Sequence, residues 1–221
     1  MQSRPPGAAF GIDWRRPLDA VAAAVGLIAA LPFMALTALI IRIQLGNPVF
    51  FRQRRAGRGG STFTVPKFRT MHDTRDASGA LLPDAERETP ITRFIRRVRL
   101  DELPQLTAIL KGDMALIGPR PLLPETIQAM GAQGRHRGLV RPGLTGWAQV
   151  SGNTRLNDRQ KIALDIWYID HRGPLLDLRI LAETVLVVLL GERLRPDRIA
   201  EAEAYRDSLG LPGVPPAGAP A

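Results

Sequence analysis

The chain has no cysteine, so neither a disulfide framework nor a thiolate metal site can organise it, which fits a reducing compartment. Lysine is nearly absent as well. Of 30 basic residues only Lys67, Lys111 and Lys161 are lysines; the others are arginines. Aromatic residues are few, 5% of 221 positions, and do not alternate with basic ones as base-stacking platforms would. One long stretch has no charge at all. Val21 to Ile41 is 21 residues without an acidic or basic side chain, and at about 1.5 Å per residue it reaches about 31 Å, enough for a bilayer core. A cleaved signal peptide is disfavoured, because the run is too long and no small-x-small site follows it. There are no internal repeats.

What is present is positive charge. A net charge of +9 calls for anionic partners: phosphorylated substrates, acidic lipid headgroups or nucleic acid. The length allows one domain plus an appendage. Arg15 and Arg16 precede the apolar run and Arg42, Arg52, Arg54, Arg55 and Arg58 follow it, which is awkward for a helix with one flank across the bilayer. Pro32, near its middle, removes a helical hydrogen bond and predicts a kink. A helix that enters the membrane, bends at Pro32 and returns to the same face satisfies both observations.

Beyond the run, PVFFRQRR and STFTVPKFRT flank AGRGG and predict a hairpin over residues 48–70, with Pro66 at an edge or bulge. Lys67 stands out in a chain that otherwise chooses arginine, as a compact charge suited to a phosphate. Residues 72–90 predict a mobile surface loop. Then Ile91, Phe94, Ile95 and Val98 recur at helical spacing, opposite Arg93, Arg96 and Arg97. Asp101 and Glu102 follow, where Asp101 could N-cap a second helix with Pro104 in its first turn. Adjacent carboxylates diverge by roughly 100° on an α-helix and can do different jobs, one attacking phosphorus and the other holding a divalent metal. An ordinary cap with a solvated first-turn acid is the plain alternative.

The segment 123–137 predicts a short helix ending in a basic patch at Arg135, His136 and Arg137. Arg141-Pro142-Gly143-Leu144-Thr145-Gly146 predicts a tight turn whose backbone N–H groups could converge on an anion. Asp165 sits among Ile162, Leu164, Ile166 and Trp167 and must be paired, either to hold an arginine of the site or to reach a metal. After Pro174, LLDLRILAETVLVVLL is too short and too charged for a span but suits an interfacial or buried helix.

Read together, RRVRLDELPQLTAILKGDMALIGPRP, NPVFFRQ at 47–53, KFRTM at 67–71, RPGLTGWAQV at 141–150, ALDIWY at 163–168 and LDLR at 176–179 resemble the bacterial sugar transferases, the monotopic phosphoglycosyl transferases that act on polyprenyl phosphate. The blocks occur in the family's order over roughly residues 14–190. Three positions depart from its pattern: Leu31 for a serine before Pro32, Thr92 for a glycine, and Ser151-Gly152-Asn153-Thr154 for Gly-Arg-Asn. The resemblance implies transfer of a sugar 1-phosphate from a nucleotide diphosphate sugar, a UDP-sugar, to undecaprenyl phosphate, as the first membrane step of exopolysaccharide or lipopolysaccharide synthesis. Asp101 would be the nucleophile and Glu102, with Asp101, the Mg²⁺ ligand. Lys67, Arg96, Arg120 and Arg141 would clamp phosphate oxygens, with Arg69, Gly143, Thr145 and Asp165 completing the substrate-binding set and Pro32 marking the re-entrant kink. The expected architecture is α+β, a helix-dominated domain with a small hairpin. It divides into a flexible lead (1–13), a re-entrant membrane helix (14–45), a catalytic domain (46–195) and a partly disordered tail (196–221), on the cytoplasmic face of the bacterial inner membrane. Its partners would be the two substrates and the membrane, with a homodimer open and no nucleic acid. Two rival readings also fit the residues: a membrane-tethered basic domain that binds nucleic acid or anionic lipid, and a metal-dependent phosphatase or pyrophosphatase.

Overall fold

The computed structural model describes residues 13–211; most of the expected flexible lead and the end of the tail lie outside them. The chain begins with α1 (Arg15–Leu45), which continues through Pro32. Its buried residues, Asp19, Ala23, Ala30, Thr37 and Ile41, form one stripe at helical spacing. Val21, Val25, Ile28, Leu36 and Leu39 are exposed, Ile28 to 70%. By length and composition α1 could cross a bilayer. Yet both its ends are tied to the same domain. Arg16 donates to the carbonyls of Ile109 (2.8 Å) and Leu110 (2.5 Å), and the Asp19 carboxylate accepts the Leu116 N–H (3.2 Å). At the far end Arg69 donates to the carbonyls of Leu45 and Gly46.

The hairpin forms as its alternation and turn residues predict. β1 (Phe50–Ala56) pairs antiparallel with β2 (Thr62–Phe68), Phe50 opposite Phe68 and Phe51 opposite Lys67. Pro66 is tolerated because this two-stranded sheet has only edges. The loop over 72–90 carries one turn of helix, α2 (Asp84–Arg87), and an isolated bridge between Arg75 and Leu81. Next come α3 (Pro90–Arg97), a 3₁₀ segment (Leu100–Gln105), α4 (Leu106–Lys111) and β3 (Ala115–Ile117). Beyond them lie α5 (Pro124–Ala129), α6 (Gly131–Arg137), β4 (Gly143–Thr145) and α7 (Trp147–Val150). The chain continues with α8 (Asp158–His171), α9 (Pro174–Leu190) and α10 (Pro196–Ser208). The architecture is helix-dominated α+β with two small sheets.

Among the described residues four hydrophobic clusters are buried, and two of them position the site. One joins Ala23 of α1 to Phe63 and Val65 of β2 and to Leu106, Ile109 and Met114. The other gathers Trp147, Leu164, Tyr168, Ile180, Ile199 and Ala202 from α7 to α10. The last two residues correct the expected boundary at 195: α10 is part of the folded unit, buried against α8. α9 buries only Ile180 and leaves Leu175, Leu178, Leu189 and Leu190 exposed, Leu175 to 84%. On α3, Ile95 is buried while Ile91 and Phe94 face outward. Thr92 fits well where the family's glycine is missing, because it completes a reciprocal capping box with Thr89 and is itself buried.

β3 and β4 run parallel, Ala115 opposite Gly143. The Gly118 N–H donates to the Thr145 carbonyl and the Gly143 N–H to the Pro119 carbonyl, each at 2.9 Å. A Cβ on Gly143 would stand 2.0 Å from the Gly118 nitrogen, an overlap that only backbone movement can relieve. Gly143→Ala should therefore cost at least about 2 kcal/mol of stability, at the upper end for overpacking. The check is urea denaturation in detergent micelles.

Candidate active site

Thr89 starts α3, and Val98 ends it. Arg99 then takes a left-handed backbone (φ 61°) and restarts the chain as the 3₁₀ turn whose first residues include Asp101 and Glu102. The expected α-helical N-cap at Asp101 is thus a tighter turn, at about 120° per residue rather than 100°. The next turn is held down by Leu106, Ala108 and Ile109, all buried.

Glu102 turns inward and is surrounded by cations. Its Oε1 accepts from Arg120 Nη2 at 2.7 Å and Lys67 Nζ at 3.1 Å, and its Oε2 lies 3.6 Å from Arg99 Nη1. Lys67 comes from β2, Arg120 from the loop after β3. Burial alone would raise the Glu102 pKa, but Arg120, Lys67 and Arg99 overcome it and hold the carboxyl at about 2. Asp101 differs in every respect. Among the described residues its carboxylate makes no hydrogen bond and no ion pair. Burial and the charge on Glu102 push it up to about 6, against the pull of Lys67, Arg96 and Arg99. Two neighbouring carboxylates with pKa values driven apart mark a division of labour.

A buried relay supports Arg120. Arg137 of α6 donates to the Arg120 carbonyl (3.0 Å) and, through Nε and Nη2, to Asp165 of α8 (3.0 and 2.7 Å). Asp165 therefore holds an arginine in place and does not face substrate. Arg137, taken above for part of a surface patch, is buried; His136 bonds Asp170.

The remaining expected site residues have other partners. Arg96 pairs with Glu88 (3.1 Å) and lends Asp101 only its field. Arg69 holds the end of α1 and lies 3.9 Å from Asp73. Arg141 goes to Asp13 (2.7 Å) and Asp19 (3.8 Å) at the start of α1. The Gly143 N–H donates to the Pro119 carbonyl in the loop after β3, and the Thr145 hydroxyl bonds that of Thr184 at 2.7 Å. Gly143 and the Thr145 hydroxyl are thus engaged in packing this turn against the Gly118 loop and α9. Sequence reasoning missed Arg99 and Glu192. Arg99 was one arginine among four, and Glu192 is paired to it (3.4 Å) across 93 residues.

Residues 12–191 match the family model for bacterial sugar transferases. The chain belongs to that family. It is 42% identical over 194 residues to EpsL of Bacillus subtilis, an uncharacterized sugar transferase, covering 88% of this chain and 96% of that protein. It is 41% identical over 182 residues to the UDP-glucose:undecaprenyl-phosphate glucose-1-phosphate transferase of Caulobacter vibrioides, covering 77% of this chain and 68% of the other. A third relative, the UDP-N-acetylgalactosamine-undecaprenyl-phosphate N-acetylgalactosaminephosphotransferase of Aeromonas hydrophila, is 36% identical over 80% of this chain, which spans 44% of that protein. Membership makes this bacterial sugar transferase an enzyme of the phosphoglycosyl transferase class and removes the pure binding module as a reading.

The family's Mg²⁺ must suit what is here. Among the described residues no three acidic or histidine side chains gather as a cage, but Asp101 has no partner, and Glu102 could join it on a Mg²⁺ completed by substrate phosphates once one of its cations turns to the substrate. The residues fit a metal shared with substrate.

Asp101 gives a stability prediction with a definite sign. Its folded pKa, about 6, lies above the ordinary 3.8, so its contribution is fully present below about pH 3.8 and is lost as pH rises through 6. Asp101→Asn should stabilise the protein at pH 7 by up to about 3 kcal/mol, with the gain vanishing near pH 4. Thermal melts of both proteins across that range check it. Asp165→Asn should do the reverse, leaving Arg137 buried and unpaired at a cost of about 3–5 kcal/mol.

Proposed function

We propose that this chain transfers a sugar 1-phosphate from a nucleotide diphosphate sugar, a UDP-sugar, to undecaprenyl phosphate through a covalent ester on Asp101. The observation that carries the proposal is the split pair: Glu102 neutralised by three cations, Asp101 beside it with no partner. In the first step an Asp101 carboxylate oxygen attacks the β-phosphorus. The bond from that phosphorus to the bridging oxygen breaks, and nucleoside monophosphate leaves with that oxygen. In the second step a phosphate oxygen of the lipid attacks the same phosphorus, releasing Asp101 and giving polyprenyl diphosphate sugar.

Lys67, Arg99 and Arg120 stand where charge develops on the diphosphate. Glu102 anchors them before substrate arrives, and Arg137 with Asp165 fixes the backbone of Arg120. Arg96 favours the ionised, attacking form of Asp101. Glu102, with Asp101, would hold Mg²⁺, which when bound supplies neutralisation of the diphosphate and of the departing nucleotide.

The acceptor is a lipid, so the site must sit at a membrane surface. Support comes from the exposed apolar faces of α1 and α9 and from Ile91 and Phe94 on α3, the helix that leads into the carboxylates. The ties of both α1 ends to one domain favour a helix that dips into one leaflet near Pro32 and returns. A donor made in the cytoplasm puts the domain, in this reading, on the cytoplasmic face of the inner membrane. The phosphatase rival would release free phosphate or sugar phosphate in place of a lipid-linked sugar.

Asp101→Asn should abolish turnover, and Glu102→Gln should cripple it and flatten its Mg²⁺ dependence. Enzyme mixed with donor alone should release nucleoside monophosphate and gain the mass of a sugar phosphate. Release that waits for the lipid acceptor would instead establish direct one-step transfer. Because attack needs ionised Asp101, kcat/KM should climb with pH through about 6 and level off above it.

A further inference from the structure

Among the described residues only Arg99 (φ 61°) and Asn153 (φ 47°) are non-glycine residues with a left-handed backbone. Such conformations cost roughly 1–3 kcal/mol each and persist where the surroundings impose them. Here both side chains donate to the same carboxylate. Glu192 Oε1 accepts from Asn153 Nδ2 (2.5 Å) and Arg99 Nη2 (3.4 Å), while Oε2 accepts from the Thr154 N–H (3.1 Å) and the Thr154 hydroxyl. A guanidinium, an amide, a backbone N–H and a hydroxyl thus converge on one anion, the donor set that recognises a phosphate. The cluster is open to solvent, with Arg99 and Glu192 side chains 27% and 21% exposed.

Its place in the site is specific. Arg99 bridges Glu192 and Glu102, and the charge of Glu192 reaches Arg120. With Glu192 in place, the three cations Lys67, Arg99 and Arg120 face three carboxylates, Asp101, Glu102 and Glu192. Among these six side chains the charges cancel, so Glu192 takes from the cluster one positive charge that a phosphate would otherwise meet. With Glu192 withdrawn, that charge on Arg99 is free for an anion. Glu192 lies one residue past the stretch that matches the family.

We infer that Arg99, Asn153 and Thr154 form a phosphate subsite that Glu192 fills as an internal stand-in until the nucleotide displaces it. The subsite lies one side chain beyond the carboxylate pair, so it takes the phosphate that departs on the nucleoside monophosphate. That assignment rests on the proposed transfer reaction; the anion chemistry of the cluster does not.

The test measures binding of uridine 5′-monophosphate and of inorganic phosphate to the full chain in detergent micelles, by calorimetry and without lipid acceptor. Glu192→Gln keeps the shape and removes the charge; Glu192→Ala empties the cluster. If Glu192 blocks the subsite about nine-tenths of the time, both variants should bind both ligands about tenfold more tightly than the parent. Adding Asn153→Ala to Glu192→Gln should erase the gain. Unchanged or weaker binding in variants with intact melting curves overturns the inference, and a gain for inorganic phosphate alone overturns the nucleotide assignment. Should both variants fail to fold, hydrogen exchange on the parent decides: uridine 5′-monophosphate must speed exchange over residues 191–195, and no change there sinks the idea. A tenfold gain in a protein without transferase turnover would keep the subsite and discard the reaction. Turnover without the gain would do the opposite.

Discussion

The buried carboxylate of Glu102 is the point on which the structure turns. Taking it out of water is costly, and each of its cations offsets part of that cost only if it arrives from the right direction. Lys67 comes from a hairpin strand, Arg99 from a left-handed break and Arg120 from a loop closed by two prolines. Three separate parts of the fold must therefore be correct before Glu102 can be buried at all. Arg120 depends in turn on Arg137 and Asp165, which extends the requirement to α6 and α8. Nothing in this chain of contacts touches Asp101. The scaffold spends its polar groups on the neighbour and leaves one carboxylate unclaimed.

The same constraint ties the exposed apolar surface to the site. α3 carries Ile91 and Phe94 on its outer side and Ile95 on its inner side, and it ends four residues before Asp101. Whatever holds those two side chains holds the carboxylates as well. α1 runs past the 3₁₀ turn and α4 with its inner stripe, so the helix that presents the largest exposed apolar face also packs against the backbone of the site. The exposed apolar helix and the candidate site share a core.

Much of this was legible in the residues. The hairpin followed from alternation around a glycine-rich turn, and α3 from its apolar spacing. The adjacent carboxylates stood out once the surrounding blocks were read together. What escaped depends on partners far away in the chain. Arg137 lies between two basic neighbours and looks solvated until Asp165, 28 residues on, is folded against it. Gly143 and Gly146 suggested an anion cradle, whereas the structure uses them for close backbone approach to Gly118. α10 had a readable signal that was passed over: Pro196 at the first helical position and Ile199, Ala202 and Arg206 on one face. Arg99 gave no local warning, because a left-handed arginine is unexpected from sequence alone.

That left-handed residue explains why adjacent acids can be so unlike. Had α3 simply continued, Asp101 and Glu102 would be two positions on one long helix, sharing a rim and much of their solvent. By breaking the helix, Arg99 starts a tighter turn in which neighbours diverge by about 120°. Pro104 preserves the break from the other side, since it has no N–H to donate to the Leu100 carbonyl and so cannot carry an α-helical ladder through this turn. One acid is driven into the cation cluster and the other is left without a partner. Asp101 has a pKa close to neutrality because it is half-desolvated next to a permanent negative charge, and that charge is permanent only because the three cations keep it so. The reactivity of the first acid is thus a consequence of the saturation of the second.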